Sequence, residues 1–191
     1  MERSLHSPFT REAVETLNAG DRVLVSGTVY TGRDRAHKFL GEGGTAPESL
    51  ADAAIFHCGP VVMKSPAGEW TIPAAGPTTS IREEPYMAGI IERHGVRVII
   101  GKGGMGPKTL EACRRFGCVY LQAVGGAAAV IAQRIVRVQD VWFFDEFGAT
   151  EAIWKLEVSK LETVVGMDAH GASLFESVRR SSRERLDALL N

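Results

Sequence analysis

The stretch Val96-Arg-Val-Ile-Ile-Gly-Lys-Gly-Gly-Met-Gly-Pro-Lys-Thr-Leu-Glu-Ala-Cys-Arg-Arg-Phe-Gly-Cys-Val-Tyr-Leu-Gln-Ala123 decides the fold class. It opens on a β-branched strand, Val96 to Ile100, and turns through glycines to Pro107. A helix then runs to Phe116 and stops at Gly117, and a second apolar strand, Cys118 to Ala123, follows. Proline suits a first helical turn and glycine suits the left-handed exit. Apolar strands joined through a helix form a parallel sheet covered by helices. The class is α/β.

The same alternation extends outward on the N-terminal side. Arg22 to Tyr30 reads as a strand, and Thr31 to Leu40 changes to helical periodicity, so Arg33 and Asp34 fall at a strand–helix junction. Ala53 to Cys58 reads as a buried strand ended by Gly59-Pro60, with a hairpin around Ser65 to Gly68 and a helix from Pro85 to Gly95. Before these, Thr10 is placed to cap a helix ended by Gly20, with Phe9 and Val14 at staple positions. On the C-terminal side the period shortens. Val136 and Val138, then Ile153 to Val158 and Leu161 to Val165, read as strands with few helices between them. Asp145-Glu146 reads as a turn, and the Arg-rich segment from Ser177 reads as a surface helix or frayed tail.

Composition narrows the class of function. The chain has 191 residues, 22 Lys+Arg against 23 Asp+Glu, and 3 cysteines. That length suits one core. Balanced charge gives no basic excess for nucleic acid or a membrane surface. No apolar run approaches the roughly 20 residues of a membrane span, and the first residues show no signal peptide. Three cysteines do not make a disulfide framework, so a reducing, cytoplasmic setting is expected.

Three loops carry a cation beside glycines or hydroxyls at a strand end: Thr31 to Asp34, Gly76 to Arg82, and Gly101 to Gly106. In open α/β sheets ligands collect at such ends. Arg33, Arg82 and Lys102 together suit a small polyanion, because guanidinium grips a carboxylate in a fork while an ammonium acts as a point charge. Thr78-Thr79-Ser80 equally suits a helix cap. The glycine loop matches a dinucleotide fingerprint literally, and a nucleotide- or phosphate-binding module is the alternative from another class. Against it, no acid stands between Glu111 and Asp140, Pro107 removes an N–H, and glycine follows Lys102 where a Walker loop needs Ser or Thr. Cys58, Cys113 and Cys118 lack metal-site spacing and read as buried thiols, and His37, His57 and His170 are scattered without a triad. No metal or cofactor ligand is assigned to this chain.

Several strings resemble the class I, iron–sulfur fumarate hydratases. They are Ser26-Gly-Thr-Val-Tyr-Thr-Gly-Arg-Asp-Arg-Ala-His37, Gly59-Pro60, Gly76-Pro-Thr-Thr-Ser-Ile-Arg82, Gly101-Lys-Gly-Gly-Met105 and Glu151-Ala-Ile-Trp-Lys-Leu-Glu-Val158. They span roughly Gly20 to Phe175 and resemble the C-terminal domain, a separate β subunit in two-subunit enzymes. L-tartrate dehydratase β subunits share these motifs. The resemblance implies a single swivelling β/β/α domain over residues 1–176 with a helical tail over 177–191, and a [4Fe–4S] cluster held by a partner α subunit. It implies reversible hydration of fumarate to (S)-malate, with Arg33, Arg82 and Lys102 on the C4 dicarboxylate and Thr78 both contacting substrate and acting as the base. A hetero-oligomer, with or without a β–β contact, is expected, and the isolated chain is expected to be inactive.

Overall fold

The computed structural model describes residues 2–190, and in it the Val96–Ala123 stretch forms strand, helix and strand as its pattern predicts. In chain order the elements are β1 (Glu2–His6), α1 (Arg11–Glu15), β2 (Arg22–Thr31), α2 (Asp34–Gly41), β3 (Ala54–Phe56), β4 (Val61–Lys64) and β5 (Trp70–Ala74). A 3-10 turn, Ser80–Glu83, leads into α3 (Glu84–His94), β6 (Val98–Gly101), α4 (Pro107–Phe116) and β7 (Val119–Gln122). The chain ends with α5 (Ala128–Ala132), β8 (Ile135–Trp142), α6 (Phe144–Phe147), β9 (Ile153–Met167) and α7 (Leu174–Leu190).

Strands β1, β2, β3, β6 and β7 run parallel in that order. Strand β9 lies antiparallel to β7 at one end and to β2 along most of its length. The pairings β2–β3–β6–β7–β9–β2 therefore close into a ring, with β1 and β8 appended. The molecule is mixed α/β.

Alternation along the short parallel strands builds two cores. Ala54, Phe56, Val98, Ile100, Val119 and Leu121 join one cluster with Trp154, Leu156 and Val165 of β9. The intervening Ile55, Ile99 and Tyr120 join the other, under Leu40 of α2, Ile90 and Ile91 of α3 and Cys113 of α4. Burial on both faces is why these strands read as uninterrupted apolar runs. Gly95 and Gly117 adopt left-handed conformations, φ 67° and 69°, and end α3 and α4 as expected.

Some local expectations are corrected. Helix α1 is capped by Thr10, but it ends at Glu15; Gly20, at φ 95°, lies in the following loop and donates its N–H to Val165. The segments 153–158 and 161–165 are one strand, bent where Lys160 takes φ 53°. Asp145-Glu146 lies in a single helical turn. Strand β1 carries no apolar pattern in the sequence, because only Leu5 in it is buried. Helix α5 sits in a run of small residues with no side-chain cap. The C-terminal tail is helical from Leu174, and Phe175 packs against Tyr120; Met1 and Asn191 lie outside the described residues.

Candidate functional site

The carboxyl ends of the parallel strands share one rim of the ring; the Arg33 and Lys102 loops leave from it, and the Gly76–Arg82 loop comes back onto it from the separate β4–β5 hairpin. Strand β2 ends at Thr31, whose hydroxyl accepts from the Trp154 N–H at 3.0 Å and donates to the Ala152 carbonyl at 3.3 Å. This pins the β2–α2 junction to the start of β9. Arg33 sits there as the residue before α2, folded over Gly59, where any Cβ would lie 2.6 Å from its Cδ. Its Nε is 3.4 Å from Glu151 Oε1, and Glu151 Oε2 accepts the Arg35 N–H at 3.0 Å.

The β4–β5 hairpin carries the chain out and returns it across the rim. Cys58 pairs with Pro77, Thr78 donates its N–H to the His57 carbonyl at 2.7 Å, and Thr79 pairs with Lys102. Lys102 donates its N–H to the Thr78 carbonyl at 3.3 Å, and Ser80 donates its N–H to the Lys102 carbonyl at 3.0 Å. Beyond this stitch, the Arg82 Nη2 is 2.5 Å from Asp34 Oδ2 and 3.5 Å from Thr78 Oγ1. Thus Arg33, Thr78 and Arg82 meet around Asp34, and Lys102 is joined to them on the same rim through its backbone, though these residues come from three segments far apart in sequence.

The cluster is an open shelf. The Arg33 and Arg82 side chains are 26 % and 44 % exposed. Clefts of about 450 Å³ between α3 and α4, and about 640 Å³ beside Arg93 and His94, include none of the four residues. Asp34 and Glu151 partly offset the two guanidinium groups, whereas Lys102 has no ion-pair partner among the described residues.

Ser80 is the hub beneath this shelf. Its Oγ accepts from the Lys102 N–H at 3.2 Å and the Tyr120 hydroxyl at 3.0 Å, and lies 2.9 Å from His57 Nδ1. Gly101 is required beside it, since a Cβ there would stand 1.9 Å from that oxygen. The helix-cap reading of Thr78-Thr79-Ser80 is therefore corrected: Thr79 precedes the 3-10 turn without a side-chain cap bond, and the Ser80 hydroxyl faces inward.

The glycine loop does not present a phosphate cradle. Gly103 and Gly104 take φ 81° and 84°, but their N–H groups go to Gln122 Oε1 and the Tyr120 hydroxyl. The N-terminus of α4 is filled by Glu84, whose carboxylate accepts from the N–H groups of Gly106, Lys108 and Thr109 and from the Thr109 hydroxyl. A carboxylate already occupies the position an anion would take.

The cysteines are buried free thiols. Burial pushes Cys58 up to about 12 and raises Cys118 well above the usual thiol value, so neither offers a thiolate. No trio of His, Cys, Asp or Glu among the described residues has metal-binding geometry. His37 and His57, which looked scattered in sequence, meet edge to face with ring centroids 4.7 Å apart, beside buried Glu83. A sequence signal for this existed only in the adjacency of each to a site loop.

Comparison with known proteins adds an independent line. A family model described as Fumarase C-terminus matches residues 2–178. The chain is 49 % identical over 183 residues to "Putative fumarate hydratase class I" of Geobacillus stearothermophilus, covering 96 % of this chain and 35 % of that protein. It is 33 % identical over 192 residues to the L(+)-tartrate dehydratase subunit beta of Escherichia coli strain K12, covering 100 % of this chain and 94 % of that subunit. The chain thus spans about a third of the first relative and nearly all of the second.

Proposed function

Because this chain belongs to the fumarase C-terminus family, we propose that it is the β subunit of a two-subunit fumarate hydratase, supplying the cationic half of a site for reversible hydration of fumarate to (S)-malate. The observation that supports this most is the joint placement of Arg33, Thr78, Arg82 and Lys102 on one rim.

Removing the proton next to a malate carboxylate builds a second negative charge on that end of the molecule. Cations already held in place stabilise that state more than the ground state. Arg33 and Arg82 are assigned to the two carboxylates, and Lys102 to the developing charge. Thr78 both contacts the substrate and takes the proton. Its hydroxyl ordinarily ionises far above neutrality, and the guanidinium of Arg82, 3.5 Å away, favours the alkoxide. Arg82 must leave Asp34 in part to grip a substrate, which explains a shelf that is nearly charge-balanced when free.

Class I fumarate hydratases depend on an iron–sulfur cluster, and this chain's residues do not fit one. Its three thiols are buried, and Cys58 stands apart from the Cys113–Cys118 pair, the Cys118 thiol facing the Val119 carbonyl. We assign the [4Fe–4S] cluster to a partner α subunit. The proposed subunit has a swivelling β/β/α domain over residues 1–176, whose last helix continues as a tail over 177–191, and it works as a hetero-oligomer with an optional β–β contact in a cytoplasmic setting. No described helix is long and apolar enough to cross a membrane.

The decisive experiment is co-purification with a cysteine-bearing partner and an anaerobic assay of fumarate hydration. Activity that appears only in the complex supports the reading. Activity that survives loss of Arg33, Arg82 and Lys102 together leaves this chain a scaffold. The 33 % identity to an L(+)-tartrate dehydratase subunit beta supports the alternative that this chain is such a subunit, so L-tartrate must be assayed beside malate.

A further inference from the structure

Behind the shelf lies a set of closed polar groups that the chemistry above does not use. Glu83, His37 and His57 are 0 %, 1 % and 0 % exposed. Glu83 follows Arg82 directly, and neither of its carboxyl oxygens has a hydrogen-bond partner. The nearest ring nitrogen, His37 Nδ1, is 3.6 Å from Oε2. That nitrogen is 2.9 Å from the Arg33 carbonyl, which only accepts, so its N–H is committed to Arg33. Ser80 Oγ accepts from the Lys102 N–H and shares hydrogen bonds with the Tyr120 hydroxyl and His57 Nδ1, while Nε2 of both His57 and His37 is buried without a partner, so a second ring proton on either imidazole has nowhere to go. Both imidazoles are neutral.

A carboxylate with no donor in such a place is costly, and the group keeps its proton instead. Burial, with the Asp34 carboxylate, pushes Glu83 up to about 7 against the pull of Arg82, with Glu151 adding to the rise and Arg33 opposing it. Burial holds His37 down to about 4 and His57 well below the usual imidazole value. The charged and titratable groups around Glu83 are Arg82 from its own turn, Arg33, Asp34 and His37 from the β2–α2 junction, and Glu151 before β9, with His57 behind His37.

We propose that Glu83 is a positioning residue for the anion shelf: as an uncharged acid it adds nothing to the Asp34 and Glu151 charges that an incoming dicarboxylate must displace from Arg82 and Arg33, and as a carboxylate it draws the charge of both guanidinium groups inward. This rests on the dicarboxylate reading above. Linkage makes the effect reciprocal, so a bound dianion must raise the pH at which Glu83 ionises.

The first test is a carbon-13 carboxyl titration of the full chain. One glutamate titrates near pH 7, its signal is lost in Glu83→Gln, and excess succinate moves the midpoint upward; this measurement on the unmodified chain needs no variant to fold. A glutamate set titrating wholly in the ordinary carboxylate range overturns the proposal. The second test uses the assembled enzyme. The malate KM rises about threefold or more between pH 6.5 and 8.5, Glu83→Gln flattens that rise, and Glu83→Asp restores it. A rise unchanged in Glu83→Gln overturns the proposal. A wild-type assembly without hydratase activity counts against the proposed function instead, and the carboxyl titration then judges Glu83 separately.

Discussion

The guanidinium of Arg82 stands 3.5 Å from the hydroxyl of Thr78, four residues earlier on the same loop. Under the proposed function this cation serves two ends at once, holding a substrate carboxylate while lowering the cost of an alkoxide beside it.

Arg82→Ala and Lys102→Ala are each expected to lower turnover of the assembled enzyme about tenfold or more. Arg82→Lys retains charge but loses the fork, and should recover only part of the loss. Steady-state kinetics on fumarate and malate, with partner binding checked by gel filtration, read this directly. Wild-type kinetics in either alanine variant would remove that residue from the chemistry.

Thr78→Ala is expected to cost turnover more than affinity, because the methyl it leaves cannot accept a proton. Thr78→Ser should recover most of the rate. Proton exchange at C3 of malate, followed by deuterium incorporation, isolates the step. Equal exchange in Thr78→Ala would assign the base elsewhere.

Ser80→Ala leaves His57, Tyr120 and the Lys102 N–H without their shared buried partner. The expected loss is about 1–3 kcal/mol of stability. Gly101→Ala, forced against the same oxygen, should cost a similar amount, about 1–3 kcal/mol, through overpacking. Chemical denaturation measures both, and a neutral Gly101→Ala would mean the hub relaxes freely.

Acid should weaken the fold before most carboxylates titrate. His37 and His57 ionise below their usual 6.5 when folded, so their contribution is present above pH 6.5 and is lost as pH falls through the folded values. For His37, held down to about 4, that is about 3 kcal/mol in all. Glu83 acts in the opposite sense: its folded value is raised from 4.5 to about 7, so its contribution is present below 4.5 and is lost as pH rises toward 7. With two imidazoles against one carboxyl, unfolding free energy should fall between pH 6.5 and 4.5, and fall more steeply in Glu83→Gln. A flat profile in that window would contradict neutral buried imidazoles.

Glu84→Gln removes the charge that fills the α4 N-terminus. A loss of about 1 kcal/mol is expected. Thermal shifts with NAD or ATP should show no stabilisation of the unmodified chain, and a clear one would reopen the glycine loop as a binding site.

Much of this was legible in the sequence because the governing signals are local. The Gly95 and Gly117 stops, the strand–helix junction at Arg33 and the hairpin near Gly68 each rest on a few adjacent residues. The cation loops were readable for the same reason. What escaped depends on distant pairing. Nothing near Lys160 signals that two apolar runs form one bent strand, because the bend is fixed by pairing with β2 and β8. The meeting of His37 and His57 is set by where α2 and β3 lie in space. Glu84 reads as an ordinary first-turn acid of α3, and only the packing of α3 on α4 reveals it as the cap of another helix.

Strand β9 fastens β7 back to β2, and a hoop so fastened cannot be pried open from one side. The loops standing on its brim are stitched to one another through the backbone, which leaves adjustment to the side chains. A partner that covered the shelf would therefore meet one connected platform whose backbone holds while its side chains turn.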